Sequence, residues 1–475
     1  MPPRIRKHLF IDDRLVGSCK GLSRRVHPAT KRGPVVLPDA PWEEGRVGFY
    51  GSILDVDERL HMWYWAQTPR HNGTWERGLA LAVSDDGMAW TKPRLGVQER
   101  CGSRDNNLVD TFGDTVSLNP NGGPDDRFVL LRPLHREEPD RGGLYVALSG
   151  DGIHWRPQEQ RLFPFIPDTQ NQVQFDQRLA KWVAYVRTWT PNRCVGRIEI
   201  DDLLSPWPFT DNLPPYHIWG PEFAAVPGDE IPVVFRASPD IDGPETDVYT
   251  PVVVEYPWAD DVYMMFPSMY AHLPPPGRGG KYGNDGHLDV HLALSRDGIT
   301  WDRPDSRPYL PLGCDGEADS CMLYMFAGTA RRGDLILHYY CGYRSTHGAH
   351  PDGAEFEPGA ICLATQRLDG FVSMSAGTDT GSLLTLPMII SGERLELNMA
   401  TAASGSCRVE IVEATGAAIP GFALSDCEPL VGNAVHTPVR WRGSDGGLRG
   451  LNSVPVRLRF ELRNADLFAF EAIGQ

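Results

Sequence analysis

The sequence predicts an all-β chain, a five-bladed β-propeller followed by a C-terminal β-sandwich, and three observations predict it. A phrase of the form Ser-x-Asp-Gly-x-x-Trp occurs three times. Its copies are Ser84-Asp85-Asp86-Gly87-Met88-Ala89-Trp90, Ser149-Gly150-Asp151-Gly152-Ile153-His154-Trp155 and Ser295-Arg296-Asp297-Gly298-Ile299-Thr300-Trp301. Each copy follows an alternating apolar stretch (Leu79 to Val83, Leu144 to Leu148, Val290 to Leu294) and is closed by Pro93, Pro157 or Pro304. A strand therefore runs into an Asp-Gly turn with a tryptophan packed beneath it. Composition agrees: 49 glycines, 41 prolines and 13 tryptophans without long helical periodicity suit short strands joined by tight turns.

Residues 1–40 read as a basic, proline-punctuated lead-in. The propeller spans 41–375 and opens with a strand from Val47 to Leu54, a turn at Asp55-Val56-Asp57-Glu58, and a strand from Leu60 to Trp65. A third strand, Gly78 to Val83, runs into the first phrase. From Ser84 to Ser149 is 65 residues and from Ser149 to Ser295 is 146, about two periods. A worn copy belongs between them, and Ile198-Glu199-Ile200-Asp201-Asp202-Leu203-Leu204-Ser205-Pro206-Trp207 fills the slot. A fifth echo, Leu363-Ala364-Thr365-Gln366-Arg367-Leu368-Asp369-Gly370-Phe371, follows the third copy at the same period. The alternative is a two-sheet sandwich with coincidental turns. Residues 376–475 lack the phrase but alternate strictly: Val456, Leu458, Phe460 and Leu462 between Arg457, Arg459, Glu461 and Arg463. That pattern marks half-buried strands of a separate sandwich.

With 62 acidic and 46 basic residues the formal charge is -16, which argues against nucleic acid or an anionic membrane as the main partner. No apolar stretch reaches the length of a membrane span. Met1 to Phe10 carries four basic residues and no apolar secretory core. Nine scattered cysteines without a C-x-x-C pair read as free thiols, and a reducing, cytoplasmic location is expected. The sequence leaves oligomeric state open.

Innermost strands of a propeller converge on one axis, so the residues that open them ring one mouth. Blade two opens with Asp110 and Asp114, blade three with Asp168 and Asn171, blade four with Glu245, Asp247 and Tyr249, and blade five with Glu317 and Asp319. Blade one offers only Glu43-Glu44. Any one carboxylate at a strand end can be a turn cap, but carboxylates at four equivalent positions point to a shared site. Like charges in a funnel raise one another's pKa and yield one protonated and one ionised acid. Glycosidic cleavage requires that pair. The same oxygens would suit a structural calcium ion in the central channel, the only cofactor the pattern admits. Arg132, Arg187, Tyr340 and, in the long loop 342–358, His347 and His350 are polar groups expected on the same rim. The histidines lack zinc-type spacing, so no metal role is assigned to them.

Acids on the innermost strands followed by a sandwich resemble the invertase and fructanase type of glycoside hydrolase, and the propeller resembles the arabinanase and β-xylosidase type. Phe371-Val372-Ser373 after Asp369-Gly370 is similar to the domain junction of that group, and Ala465-Asp466-Leu467-Phe468-Ala469-Phe470 to its final strand. The catalytic motifs are not matched: Val47-Gly48-Phe49-Tyr50-Gly51 stands where those enzymes carry their nucleophile and has no acid. Sialidases use a related box with one more residue between Asp and Gly, and Arg132, Arg187 and Arg344 could imitate their arginine triad. The resemblance implies a glycoside hydrolase acting on a small or oligomeric neutral glycan. The mechanism of those enzymes does not carry over, so the roles rest on the strand-opening acids: Asp168 is expected as base or nucleophile, Glu317 or Asp319 as the proton donor, and Asp247 as a tuning group. Substrate hydroxyls fall to Asp114, Asn171, Arg187, Tyr249, Tyr340, His347, Arg132 and Glu43. Two other readings stand: a glycoside phosphorylase seating phosphate on Arg187, Arg132 and His347, and a non-catalytic sugar-binding propeller, which the missing blade-one acid favours.

Overall fold

The computed structural model describes residues 2–474 apart from 70–74, 111–112, 135–142, 164, 166, 190–191, 206–230, 275–283, 349–356 and 443–446. His350 and the Pro206-Trp207 end of the worn phrase lie outside the described residues. The described chain is nearly all β, in a β-propeller arrangement. Its first four-stranded sheet is Arg46–Val56, Arg59–Pro69, Trp75–Ser84 and Leu108–Asp110. A second holds Val116–Leu118, Phe128–Leu134, Gly143–Ser149 and Arg156–Phe163. The third holds Gln172–Asp176, Lys181–Trp189, Arg193–Ile200 and Val233–Phe235. Within each sheet successive strands are antiparallel, as short turns demand.

Next, the chain doubles into two ladders. Val253–Glu255, Tyr263–Met265 and Ala293–Ser295 form one. Thr246–Thr250, Ser268–His272 and Gly286–Val290 begin an eight-stranded sheet. Pro251 and Pro267 sit at the breaks, where a missing N–H ends a ladder. One parallel pair, Leu288 with Met322, carries the sheet on into Met322–Met325, Leu335–Tyr343 and Ala360–Arg367. Its last strand is Thr30–Val36, from the start of the chain, paired antiparallel with Ala360–Arg367. The first 40 residues thus do more than lead in: Lys7–Leu9 and Ser23–Val26 also enter the C-terminal sheet.

That C-terminal sheet is ten-stranded and built on two long strands, Arg394–Glu413 and Pro455–Ile473. Val456, Leu458, Phe460 and Leu462 are all buried, and their core includes Cys407, Val409 and Ile411 from the partner strand. The period-two pattern puts them on one face. All nine cysteines are free.

The repeated phrase forms the same knot three times. In the second copy the Gly152 N–H donates to Ser149 Oγ at 2.9 Å, and the Ile153 and His154 N–H groups donate to Asp151 Oδ1 at 2.8 Å each. The first and third copies repeat this around Asp86 and Asp297. Each glycine takes a positive φ, between 71° and 81°, and its carbonyl accepts from an aromatic side chain of another sheet. Trp63 Nε1 donates to Gly152 at 2.9 Å, Tyr185 Oη to Gly298 at 3.1 Å and Tyr339 Oη to Gly87 at 2.7 Å. The phrase therefore clasps sheet to sheet.

Along the axis the innermost strands are stitched by side chains. Gln170 accepts from Gly51 N at 3.2 Å and donates to the Met325 carbonyl at 3.2 Å, spanning two other sheets. Thr169 donates to Tyr249 O at 2.9 Å, and Thr115 to Asn171 O at 2.8 Å. Such fully used buried polar groups fix how the sheets face one another.

Candidate active site at the propeller mouth

The starts of the innermost strands bring Asp114, Asp168, Asn171, Asp247 and Tyr249 together with Arg187 from the end of Lys181–Trp189 and His347 from the segment after Leu335–Tyr343. Arg187 is the centre. Its guanidinium is buried, donates to the Tyr249 carbonyl from Nε at 3.2 Å and Nη2 at 2.6 Å, and lies 4.4 Å from the centre of the Tyr249 ring. Nη1 reaches Asp168 Oδ2 at 3.4 Å. Asp168 keeps 40 % of its side chain exposed, so a carboxylate held from behind by a buried cation faces the mouth.

Asn171 links this pair to Asp114. Its Oδ1 accepts from Arg187 N at 3.3 Å, and its Nδ2 donates to Asp114 Oδ2 at 3.4 Å. Burial pushes the Asp114 carboxyl up to about 8; Asp168 adds to the rise, while the Asn171 hydrogen bonds and Arg77 only partly oppose it. Asp114 is therefore a protonated acid at neutral pH.

Two non-glycine residues here hold left-handed backbone, Asp168 at φ 48° and Phe49 at φ 73°. For a bulky side chain such as Phe49 this conformation costs about 1–2 kcal/mol, and strain of this kind gathers at functional sites. Phe49 packs against Tyr50, Trp65, Tyr324 and Tyr343 to form an aromatic wall.

On the far side Asp247 accepts from Arg193 Nη1 at 2.9 Å and pairs with His272 Nε2 at 3.1 Å. Burial works against its charge, but His272 and Arg193 outweigh it and hold the carboxyl below the usual range. His347 Nδ1 lies 3.2 Å from the Asn284 carbonyl, which can only accept, and its Nε2 lies 2.9 Å from Tyr249 Oη. Nδ1 therefore carries the proton and Nε2 accepts from the tyrosine. Burial lowers the His347 pKa to about 4, so the ring is neutral.

The remaining expected residues bond elsewhere. Asp319 Oδ2 is held by Lys31 Nζ at 2.7 Å and Tyr340 Oη at 2.7 Å, so both side chains tie the N-terminal strand to the last sheet. Glu317 is exposed and accepts from its own turn, Cys314 N, at 2.7 Å. Neither joins the Asp168 group. Glu43 is fully buried under the first sheet, bonded by Tyr64 Oη and Lys92 Nζ at 2.6 Å each. Arg132 pairs with Asp110 at 3.1 Å. Among the described residues no group of three or more His, Cys, Asp or Glu is placed to hold a metal ion. A cavity of about 920 Å³ opens at the opposite ends of the innermost strands, lined by Val116, Gln172, Gln174 and Glu255, away from these carboxylates.

Sequence reasoning missed Phe49, Tyr50, Arg46, Arg77 and Arg193. The first two stand where the first innermost strand opens, the register that carries acids in other sheets, so a search for position instead of acidity finds them. Arg77 and Arg193 lie on second-neighbour strands and carry no signal.

No protein-family model matches the sequence, and no curated protein matches it. Solved structures are similar in fold, and they include propeller-type glycoside hydrolases. The catalytic domain of an α-L-arabinofuranosidase from Coprinopsis cinerea is 12% identical, with 72% of this chain and 97% of that one covered at a TM-score of 0.43. A β-fructofuranosidase from Bombyx mori is 11% identical over 95% of both chains, at a TM-score of 0.38. An N-acetylgalactosamine deacetylase from F. plautii, solved in complex with blood group B trisaccharide, is 13% identical; 73% of this chain and 96% of that one are covered, at a TM-score of 0.46.

Proposed function

We propose that the protein is a glycoside hydrolase whose site is the propeller mouth, with Asp168 as base or nucleophile and Asp114 as proton donor. One observation carries the reading: an exposed carboxylate backed by a buried arginine and a buried, protonated carboxyl are joined through a single asparagine. Cleavage needs a proton on the departing glycosidic oxygen and a carboxylate to assist attack at the sugar carbon. Asp247 serves by fixing Arg193 and His272, and Tyr249 with His347 forms a neutral wall suited to hydroxyl recognition. In the same reading the arrangement is a five-bladed propeller. Its fourth blade is split into two ladders, its fifth is closed by Thr30–Val36, and the C-terminal sheet folds as a sandwich.

Aryl glycosides of arabinose, xylose, fructose and hexoses, assayed with wild type, Asp168→Asn and Asp114→Asn, test this. The expected result is turnover by wild type and loss of about 10³-fold or more in Asp168→Asn. Full turnover in both variants contradicts the assignment. Saturable sugar binding without turnover leaves the non-catalytic reading, which the aromatic pair at Phe49-Tyr50 favours.

A further inference from the structure

The cavity at the far ends of the innermost strands is separate from the mouth and has no part in the proposed cleavage. Its volume of about 920 Å³ lies within the range of small-molecule sites. Apolar side chains that keep exposed surface line much of it: Leu54, Leu118, Phe175 and Ala259. Two polar groups among them are held in fixed orientation. Gln172 Nε2 donates to Gln174 Oε1 at 2.7 Å and to the Val253 carbonyl at 2.6 Å, and Gln172 Oε1 accepts from Val253 N at 2.9 Å. With its oxygen engaged, Gln174 offers Nε2 as a donor. Glu255 Oε2 accepts from Gln177 N at 3.1 Å, which leaves Oε1 as an acceptor. Both side chains are half-buried, and neither of these two atoms has a hydrogen-bond partner among the described residues. Burial holds the Glu255 carboxyl above the ordinary range, with the Gln177 N–H opposing and Asp176 adding to the rise. The two arginines that line the cavity are already engaged. Arg127 forks onto Asp57 with two bonds of 2.8 Å, and Arg178 pairs with Asp261 at 2.9 Å.

We propose that this cavity is a second, non-catalytic binding site for a neutral sugar. A hydroxyl donates and accepts at once, so Gln174 Nε2 and Glu255 Oε1 complete their bonding on the hydroxyls of one ring. The C–H face of that ring lies against Phe175 and Leu118. Gln172 holds the donor in place before the ligand arrives, which lowers the cost of ordering it on binding. With both lining arginines paired, the cavity presents the Glu255 carboxylate and no free cation, which disfavours sugar acids and phosphate. The site shares no lining residue with the Asp168–Asn171–Asp114 group, so it stands whether or not the mouth cleaves glycosides.

Hydrogen–deuterium exchange of the full chain, read with and without glucose, xylose or fructose, tests the site, with glucuronate as the charged comparison. At least one neutral sugar is expected to slow exchange by about twofold or more in residues 117–120 and 255–261, which border the cavity. Glucuronate should give less slowing, and equal slowing would overturn the neutral class. Gln174→Ala and Glu255→Ala should each raise the sugar concentration needed by about tenfold, while unfolding temperature and aryl glycoside turnover stay at wild-type values. No slowing with any neutral sugar, slowing confined to residues 168–171, or slowing unchanged in both variants overturns the site. Slowing at 117–120 and 255–261 with no turnover by wild type keeps the site and defeats the hydrolase reading. Turnover without that slowing does the reverse.

Discussion

At the residue scale the pivotal group is Asp114. In the proposed hydrolase this carboxyl, pushed up to about 8, is the proton donor, so activity is expected to fall as pH rises through 8 and the proton is lost. A kcat/KM profile from pH 5 to 10 should show that alkaline limb in the wild type and lose it in Asp114→Asn. Stability follows the same sign. Between the ordinary carboxylate range near 4 and about 8 the folded state holds a proton that the unfolded state has lost, so raising pH through that window removes stability at this one group, opposite in sign to the histidine contribution below. Asp114→Asn is therefore expected to raise Tm more at pH 8 than at pH 4.5, a gain in stability bought with lost function. The acids were legible in the sequence as strand openers. Their partners were not, because Lys31 reaches Asp319 and Lys92 reaches Glu43 from remote parts of the chain. An acid with a remote lysine bonded to it has its charge satisfied and is withdrawn from the site.

At the element scale the repeated phrase has acquired a purpose beyond marking the period. Its serine and aspartate tie the turn, its glycine permits the positive φ, and its carbonyl docks an aromatic side chain from another sheet. A Cβ on Gly152 would lie 2.6 Å from Trp63 Cζ2, and one on Gly298 would lie 2.7 Å from Tyr185 Oη. Gly152→Ala combines that clash with a strained backbone and should cost about 2–4 kcal/mol in urea unfolding. Gly96→Ala is the control: its φ is 73° but nothing lies within 4 Å of the added carbon, so about 1–2 kcal/mol is expected. The turn chemistry was readable from local sequence. The aromatic donors Trp63, Tyr185 and Tyr339 were not, since they lie on second strands of other sheets.

At the scale of the whole molecule, two buried histidines and one half-buried one set the acid limit. His8 and His338 have pKa values lowered by burial to about 3 and His347 to about 4. His338 packs among Phe266, Tyr309 and Phe371, with no hydrogen bond on either ring nitrogen among the described residues. Below about 6.5 the unfolded chain binds protons that these rings refuse, so stability falls with pH by up to about 1.4 kcal/mol per unit for each. The urea midpoint should drop between pH 7 and pH 5, and His338→Leu should flatten that slope. The first three four-stranded sheets follow the order the repeat predicted, but the sequence did not show the later strands dividing into a three-stranded and an eight-stranded sheet, and it assigned Met1 to Ala40 to a lead-in. Closure by Thr30–Val36 escapes local pattern reading because its partner strand lies near the other end of the propeller.

In the proposed hydrolase the Asp168–Asn171–Asp114 linkage cleaves glycosidic bonds, and turnover of wild type against Asp168→Asn on one aryl glycoside panel tests it. Wild type should hydrolyse at least one substrate and the variant should lose about 10³-fold, with thermal unfolding little changed. Equal turnover by the two proteins would contradict it.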